Sequence, residues 1–515
     1  MRWNFFTKLF TALLFTCSVI ISFAQDNKNK EEELYRPRIH FTPAAHWMND
    51  PNGMVYYKGT YHLFFQYYPM SSVWGPMHWG HATSKDLIHW KEQPIALYPD
   101  SLGYIFSGSM VVDKKNTSGF GKNGQPPLVA IFTHHDPKRE KGFTDFQNQS
   151  LAYSNDEGKT WIKYVGNPVL KNPGIVDFRD PKVMWYEPQQ KWIMTLATKD
   201  CITFYSSPNL KNWTKESEFG KTVGAHGGVW ECPDLFPLNY NGKKIWVLIV
   251  SLNPGGPNGG SATQYFLGNF NGHEFVASHN NTKWMDYGPD DYAGVTWSNT
   301  GNRTIFLGWM SNWDYATIVP TTTWRSALTL PRDLKIVQVG KELFVASQPV
   351  PELMKIQSKP FLFNNLNVLK NLDLTKKIGQ LQIPIKLQLE TSELKDFTFR
   401  FSNTLGEELL IGYNKNENNF FIDRSSSGKI DFHKNFAAKH TAPRLSKAQT
   451  IKITLIVDAS SVELFADDGL SVMTSVFFVT EKFTQLNLLA QENINIKKLE
   501  FATLKRSMPY FNQTK

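Results

Sequence analysis

Cysteine is scarce in this sequence. Its 515 residues include three cysteines, and Cys17 falls within an N-terminal apolar run, which leaves Cys201 and Cys232 for the rest of the chain. Two cysteines do not make a disulfide framework in a chain of this length. We therefore expect stability to come from burial of a large apolar core, for which the chain is long enough.

Apolar runs long enough to cross a membrane are also missing. The one candidate, Leu9 to Ile21, is short for a membrane span. Two basic residues precede it, and Ser22-Phe23-Ala24 follows with small residues at the positions that signal peptidase reads. The sequence therefore predicts a signal peptide at 1–24 and export to the periplasm, the cell surface or the medium. Lipoprotein processing at Cys17 is an alternative, although the residues before it fit that signal poorly.

Strong charge and cofactor motifs are absent as well. The chain has 55 Lys and Arg against 46 Asp and Glu, a formal net charge of +9, and the basic residues are scattered. This distribution disfavours a nucleic-acid partner. The sequence contains no phosphate loop, dinucleotide fingerprint, EF-hand pattern or zinc-type spacing of Cys and His. We therefore expect an activity that uses neither a metal nor a cofactor.

The sequence does contain a repeated pattern of strands. Five times, a polar or acidic turn leads into a short apolar strand and then into a second, more apolar strand. The second strands begin near residues 61, 128, 192, 245 and 304. Repeats of strand-rich units are typical of a closed propeller. We predict an all-β fold, with a disordered lead-in at 25–35 and a five-bladed β-propeller at 36–335.

The composition changes after the repeats stop near Leu330. Residues 336–360 read as a linker, and from 361 onward Trp becomes rarer while Lys, Asn and Leu increase. Apolar residues alternate with period two in three stretches, at 381–389, 397–401 and 451–457. We predict a β-sandwich at 361–505. We expect it to serve for packing rather than as a carbohydrate-binding module, because no cluster of exposed aromatic residues is evident.

Three carboxylates recur at one position of the repeat. Asp50, Asp180 and Glu231 each lie three or four residues before a first strand, and Ser107 and Asp291 occupy the corresponding positions of the other two units. The first strands of propeller blades line the central channel. We therefore expect these side chains to converge on one mouth of that channel. Because like charges repel when they are desolvated, such a cluster indicates a functional pocket.

The neighbours of each carboxylate suggest its role. Glu231 lies between a Trp and a Cys, which hydrate it poorly, so we expect its pKa to be raised as a general acid requires. Asp50 lies in a polar turn, where it should stay ionised and suits a nucleophile. Asp180 follows Arg179, whose charge should keep it ionised to stabilise an oxocarbenium-like transition state. Together they point to glycoside transfer.

The segments around these carboxylates resemble the three motifs of glycoside hydrolase family 32, the β-fructofuranosidases. They are Trp47-Met48-Asn49-Asp50-Pro51-Asn52-Gly53, Arg179-Asp180-Pro181 and Glu231-Cys232-Pro233. Other segments are similar to the family too: Phe64-Phe65-Gln66-Tyr67, Trp74-Gly75-Pro76, Phe106-Ser107-Gly108-Ser109, Gly308-Trp309-Met310-Ser311-Asn312-Trp313 and Ser460-Ser461-Val462-Glu463. The resemblance covers nearly all of the chain beyond the signal peptide.

The resemblance implies a retaining, two-step hydrolysis of fructan or sucrose through a fructosyl-enzyme intermediate, without a metal. It implies Asp50 as the nucleophile, Asp180 as the transition-state stabiliser and Glu231 as the acid/base. It also implies a fructose pocket lined by Asn49, Gln66, Trp74, Phe106, Ser107, Arg179 and Trp313.

One further segment bears on the substrate. Pro254 to Phe266 is similar to a segment of exo-acting levanases and inulinases, which implies release of terminal fructose from levan or inulin, with sucrose as a smaller substrate. Alternatives within the family are an invertase, an endo-fructanase and a fructosyl transferase. Alternatives outside it are an inverting propeller glycosidase acting on arabinan or xylan, and a non-catalytic sugar-binding propeller. The sequence makes no prediction of oligomeric state.

Overall fold

A computed structural model of the chain describes residues 33–510. The predicted signal peptide, the alternative processing site at Cys17 and most of the predicted lead-in lie outside this range. The end of the lead-in differs from the prediction of disorder, because Tyr35 is packed: its ring lies 5.3 Å from that of Phe478, and its carbonyl accepts a hydrogen bond from Ser460. Within 33–510, no helix has the length and apolar character that a membrane crossing requires.

The prediction of a five-bladed propeller is confirmed. Its five sheets are β1–β4, β5–β8, β9–β12, β13–β17 and β18–β23, with the short β20 pairing into the first sheet. The bounds are β1 His46–Tyr57, β2 Thr60–Tyr68, β3 His78–Ser84, β4 Trp90–Leu97, β5 Tyr104–Val112, β6 Leu128–His135, β7 Gln147–Ser154, β8 Ile162–Lys163, β9 Phe178–Tyr186, β10 Lys191–Thr198, β11 Cys201–Ser207, β12 Thr214–Phe219, β13 Val229–Tyr240, β14 Lys243–Asn253, β15 Ala262–Phe270, β16 Phe275–Ala277, β17 Lys283–Trp284, β18 Tyr292–Thr296, β19 Ile305–Met310, β20 Trp324–Arg325, β21 Ala327–Leu328, β22 Arg332–Val339 and β23 Glu342–Pro349. The second strand of each sheet begins within two residues of its predicted position.

The first strands of the five sheets form the inner ring. Each of β1, β5, β9, β13 and β18 contacts the first strand of both neighbouring sheets, and β18 contacts β1. The ring is also closed by hydrogen bonding, since β20 pairs in parallel with the start of β1. This arrangement brings residues that are far apart in sequence to one axis of the molecule.

The predicted linker at 336–360 overlaps the last sheet of the propeller. Strands β22 and β23 pair along their full length and continue the sheet of β18 and β19 to residue 349. A 3₁₀ helix, Pro351–Ile356, then leads to the second domain. The sequence suggested a linker because these strands carry no motif of the repeat, yet alternate residues of β22 are buried. We therefore place the domain boundary near residue 350.

The second domain is the predicted β-sandwich. One sheet has the order β24-β35-β26-β31-β32-β33 and the other β25-β34-β27-β28-β29-β30. The bounds are β24 Phe361–Val368, β25 Asn371–Asp373, β26 Ile385–Thr391, β27 Phe397–Ser402, β28 Glu408–Asn414, β29 Asn419–Ser426, β30 Lys439–Pro443, β31 Ile451–Asp458, β32 Ser461–Ala466, β33 Ser471–Val476, β34 Gln485–Ala490 and β35 Ile494–Thr503, with a short α-helix at Thr375–Ile378 and a 3₁₀ turn at Asp467–Gly469. The propeller carries two further 3₁₀ turns, at Arg139–Lys141 and Glu187–Gln189.

The sandwich core follows the period-two patterns of the sequence. In β26 every second residue is buried, from Ile385 to Thr391. Ile385, Leu387 and Leu389 belong to one apolar cluster with side chains of the other sheet. Strand β26 begins four residues later than the alternation suggested. Pro384 lies directly before it, and proline lacks the N–H that a ladder position inside a sheet would use.

A buried ionic network joins the two domains around Arg332 of β22. Arg332 donates to Glu463 of β32 through Nε and Nη2, at 3.0 and 2.5 Å. It also donates to Asp286 and Asp291 through Nη1, at 3.0 and 2.9 Å. Glu463 accepts a further contact from His40, whose pKa the neighbouring carboxylates raise to about 9 against the effect of burial. All of these side chains are buried, so each depends on its partners for charge compensation.

Gly308→Ala tests how tightly this network is packed. A Cβ at Gly308 would lie 1.8 Å from Oδ1 of Asp291, which is buried and held by Arg332. We expect the variant to be destabilised by about 1–3 kcal/mol, as overpacked cores are, and to show a lower midpoint of thermal unfolding. Gly142→Ala is the control, because no heavy atom lies within 4 Å of its Cβ position. An unchanged midpoint for Gly308→Ala would contradict this account.

Candidate active site

Each of the five inner strands has an irregularity at the same end. The pairing register shifts twice in β1, at Asn49/Pro51 and Asn52/Val55. It shifts once in each of the other four strands, at Ile105/Gly108, Asp180-Pro181 opposite Leu196, Glu231/Asp234 and Tyr292/Val295. Such bulges redirect a side chain and interrupt the hydrogen-bond ladder. Proline, which cannot donate to the ladder, occupies three of them, at Pro51, Pro181 and Pro233. The expected turn before a strand at Met54 is therefore a bulge within β1.

The bulges bring the predicted site residues together. Asp50, Asp180 and Glu231 line one cavity of about 600 Å³. The same cavity is lined by all seven residues that the family resemblance assigned to the pocket, which are Asn49, Gln66, Trp74, Phe106, Ser107, Arg179 and Trp313. The cavity lies at the bulged end of the inner strands, which is the channel mouth that the repeats predicted.

Two neutral side chains hold the carboxylate of Asp50. Asn49 donates to Oδ1 at 2.9 Å, and Ser107 donates to Oδ2 at 3.0 Å. The indole N–H of Trp47 donates to Oδ1 of Asn49 at 2.7 Å, which requires the amide NH₂ of Asn49 to face Asp50. Burial and the negative charge of Glu231 nevertheless raise the pKa of Asp50 to about 6.

Cys232 lies between two of the carboxylates. Its backbone N–H donates to Oδ2 of Asp180 at 3.0 Å, and its Sγ lies 3.6 Å from Asp180 Oδ2 and 3.7 Å from Asp50 Oδ2. Burial, followed by the charges of the neighbouring carboxylates, raises the pKa of the Cys232 thiol well above its ordinary value. The group is therefore a neutral thiol that lies between the two carboxyl groups.

Arg179 does not act as the sequence suggested. Its guanidinium donates to Oε1 of Glu231 from Nε and Nη2, at 2.9 and 2.7 Å, and it also pairs with Asp177. Its charge lowers the pKa of Asp180, but burial has the larger effect and raises that pKa above the usual range. The expectation that Arg179 keeps Asp180 ionised is therefore wrong. Burial raises the pKa of Asp180 more than the charge of Arg179 lowers it, and the guanidinium is hydrogen-bonded to Glu231 instead.

The fifth inner strand contributes a residue that the sequence did not indicate. Asp291 was expected at the channel mouth, but it is buried against Arg332 in the domain interface. The next residue, Tyr292, is the one that reaches the site, and its hydroxyl donates to Oε2 of Glu231. Burial and the nearby Glu231 raise the pKa of Tyr292 well above its ordinary value, so the phenol keeps its proton.

Glu231 is therefore held from both sides, with Arg179 on one oxygen and Tyr292 on the other. Gln66 differs, since its Nε2 is buried and has no hydrogen-bond partner within residues 33–510. A buried amide nitrogen that faces a cavity is available to a ligand. Across the described part of the chain, no group of three or more His, Cys, Asp and Glu side chains is arranged to hold a metal ion.

Comparison with known proteins agrees with this geometry. The family model described as "Glycosyl hydrolases family 32 N-terminal domain" matches residues 40–347, and "Glycosyl hydrolases family 32 C terminal" matches residues 352–503. The chain belongs to glycosyl hydrolase family 32. It is a glycoside hydrolase with a propeller and a sandwich domain.

Relatives of this family 32 chain have been named by activity. It is 45% identical over 509 residues to a levanase of Bacillus subtilis (strain 168), covering 96% of this chain and 74% of that protein. It is 38% identical over 497 residues to an extracellular exo-inulinase of Aspergillus niger, covering 89% and 92%. A crystal structure of exo-inulinase from Aspergillus awamori superposes with a TM-score of 0.85 at 34% identity, covering 93% and 100%.

Several lining residues of the family 32 site were not predicted. They include Met77, His135, Glu140, Phe146, Gln147, Val176, Asp177, Val229 and Asn253. Asp177 and Val229 lie beside predicted motifs, so extending each motif by two residues would have found them. His135 and Phe146 flank a loop that the repeat pattern does not contain, and the sequence carries no signal for their place in the site.

The burial of both remaining cysteines predicts low thiol reactivity. Cys201 and Cys232 are 6% and 4% exposed, and burial raises the pKa of each. We expect an aromatic disulfide reagent at neutral pH to leave both thiols of the folded chain from Gln25 unmodified, and to label two per chain after denaturation. Cys232→Ser identifies which thiol reacts. Rapid labelling of Cys232 in the folded protein would contradict its burial.

Proposed function

We propose that this enzyme is an exported exo-fructosidase. It hydrolyses terminal, non-reducing β-D-fructofuranosyl residues of fructans and of sucrose, and it retains the configuration at the anomeric carbon. The observation that carries the proposal is the convergence of Asp50, Asp180 and Glu231 in a single cavity with the seven expected pocket residues. The names of its relatives, levanase and exo-inulinase, support the substrate class.

In the first step, Asp50 is the nucleophile. One carboxylate oxygen attacks the anomeric carbon of the fructosyl unit as the bond from that carbon to the leaving oxygen breaks. Asn49 and Ser107 hold the carboxylate in place and leave it less basic than burial alone would make it. The product of this step is a fructosyl ester of Asp50.

Glu231 supplies the proton that the leaving oxygen needs. Arg179 can only donate hydrogen bonds, and it occupies Oε1 of Glu231. The hydroxyl of Tyr292 can either donate or accept, so it holds Oε2 in both protonation states. We assign the transferable proton to Oε2 for this reason. In the second step, Glu231 takes a proton from water, which attacks the ester and releases fructose.

The remaining residues bind the fructosyl unit and its developing positive charge. The backbone N–H of Cys232 holds Oδ2 of Asp180, and we assign Asp180 to the sugar hydroxyls and to the oxocarbenium-like transition state. Nε2 of Gln66, which has no partner within residues 33–510, is assigned to another sugar hydroxyl. Trp74, Phe106 and Trp313 supply apolar surface for the sugar ring, and Trp74 is 40% exposed at the rim.

Export is part of the proposal. The N-terminal sequence has the pattern of a signal peptide, with lipoprotein processing at Cys17 as the alternative. An Aspergillus relative carries "extracellular" in its name. An exported enzyme also fits a polymeric substrate, because a fructan is too large to cross a membrane unaided.

A product time course tests the proposed activity. The chain from Gln25 is incubated separately with levan, inulin and sucrose, and early products are separated by chromatography. We expect fructose as the sole early product from at least one polymer, and the faster polymer identifies the preferred linkage. A ladder of oligosaccharides would instead indicate an endo-fructanase. Hydrolysis of sucrose alone would indicate an invertase.

Glu231→Gln tests the acid role. Without a proton donor, kcat/KM for sucrose should fall by about 100-fold to about 10,000-fold, the range that general acid catalysis contributes. An aryl β-fructofuranoside with a good leaving group needs no such proton, so its kcat/KM should change far less. Equal losses for both substrates would contradict the assignment of Glu231 as the acid.

Ser107→Ala tests the electrostatics of Asp50. The nucleophile must be ionised, so kcat/KM should fall as the pH drops through about 6, the pKa of Asp50 in the free enzyme. Ser107 donates to the ionised form and lowers that pKa. Its removal should raise the pKa and move the acidic limb of the pH profile to higher pH. A shift to lower pH would contradict the account.

A further inference from the structure

The loop that precedes the fifth inner strand lies between the two domains. Residues 286–291 carry three buried aspartates, Asp286, Asp290 and Asp291. The loop runs beside strand β33 of the sandwich: Tyr287 N donates to Val472 O at 2.8 Å, and a Cβ at Gly288 would lie 2.1 Å from Thr474 O. There is thus no space between the loop and the sandwich.

The sandwich supplies partners for the first two of these aspartates. Asp286 accepts from Thr474 through its backbone N–H at 2.8 Å and its hydroxyl at 2.7 Å. Asp290 accepts from Val476 N at 2.9 Å and from Arg424 at 2.6 Å. Such charge-assisted contacts are the stronger class of hydrogen bond.

Arg332 completes the attachment from the propeller side. Its donors are shared among Glu463 and Thr474 of the sandwich and Asp286 and Asp291 of the loop. The hydroxyl of Thr474 thus accepts from Arg332 while it donates to Asp286. The side chain of Thr474 therefore links the sandwich both to Arg332 and to Asp286 of the loop.

A second contact attaches the same loop to the sandwich. The amide of Asn258 donates to the carbonyls of Tyr287 and Thr441, at 2.6 and 2.9 Å, and accepts from Thr441 N. Thr441 belongs to β30 of the sandwich. The propeller contributes as well, since Asn312 donates to Pro289 O at 2.8 Å.

Tyr292 follows this loop directly and holds Glu231. The loop ends at Asp291, and the next residue begins β18 with its hydroxyl on Oε2 of Glu231. Tyr292 is 1% exposed, and the bulge that follows it places Ala293 at φ 52°. The position of the phenol therefore depends on where the loop places the start of the strand.

We propose that the sandwich domain positions the catalytic acid, because its contacts with the loop at 286–291 fix Tyr292 and thereby the carboxyl group of Glu231. The proposal rests on the acid role proposed above for Glu231. Thr474 and Glu463 are positioning residues in this arrangement. They act through Arg332, the loop and Tyr292, and they do not contact the substrate.

Thr474→Val is the test, because valine keeps the shape of threonine and removes the hydroxyl. We expect kcat/KM for sucrose to fall by about five- to about 100-fold, a part of what general acid catalysis contributes. For an aryl β-fructofuranoside, whose leaving group needs no proton, we expect less than about a twofold change. Tyr292→Phe should show the same difference between the two substrates.

Thr391→Val is the matched control. Thr391 is also buried in the sandwich, and its hydroxyl donates to Asn495 O at 2.8 Å, away from the propeller. It should leave both substrates unchanged. Circular dichroism establishes whether each variant is folded. If Thr474→Val does not fold, Glu463→Gln replaces it, and we expect kcat/KM to fall for sucrose but not for the aryl β-fructofuranoside.

Three outcomes would overturn the proposal: no selective loss in folded Thr474→Val or Glu463→Gln, equal losses for both substrates, or the same loss in Thr391→Val. Failure of the acid assignment itself is distinguishable. If the acid assignment is wrong, Glu231→Gln shows no difference between the two substrates. If only the positioning role of the sandwich is wrong, Glu231→Gln shows the difference and the sandwich variants do not.

Discussion

Repulsion between three carboxylates in one buried cavity is the constraint on which the site depends. Asp50, Asp180 and Glu231 come from three blades, and desolvation raises the pKa of Asp50 and of Asp180. The protein offsets this repulsion with one guanidinium, on Glu231, and with neutral donors on the other two. The carboxyl groups therefore have different surroundings. Asn49 and Ser107 stabilise the ionised form of Asp50. Glu231 is held by Arg179, which can only donate, and by Tyr292, which can donate or accept.

At the domain interface, repulsion between buried carboxylates is offset by cationic side chains instead of neutral donors. There, Arg332, His40 and Arg424 face Asp286, Asp290, Asp291, Asp458 and Glu463 within a closed core. Loss of one partner from such a buried set costs about 3–5 kcal/mol, because it leaves an uncompensated charge. The interface and the active site meet at the peptide bond between Asp291 and Tyr292. This adjacency explains how a domain that contributes no residue to the cavity can still bear on its chemistry.

Much of the fold could be predicted from the sequence, because propeller repeats and alternating strands are local patterns. The second strands begin within two residues of their expected places, and Asp50, Asp180 and Glu231 share one cavity as the repeat implied. The bulges could not be predicted in the same way. A one-residue shift decides whether Asp291 or Tyr292 faces the channel, and the sequence shows an acidic residue at the expected position. The partner of Arg179 was also missed, since an arginine beside an aspartate in sequence can point elsewhere in a strand.

The role of Asp50 as nucleophile is tested most directly by a search for the covalent intermediate. Glu231→Gln is reacted with an aryl β-fructofuranoside, which should form the ester quickly and hydrolyse it slowly because the base for water is missing. The reaction is quenched in acid, and the digested protein is analysed by mass spectrometry. A retaining mechanism with Asp50 as the nucleophile predicts one fructosyl unit on the peptide that contains Asp50, and none when Asp50 is replaced by Asn. Turnover without any adduct, together with inversion at the anomeric carbon, would contradict it.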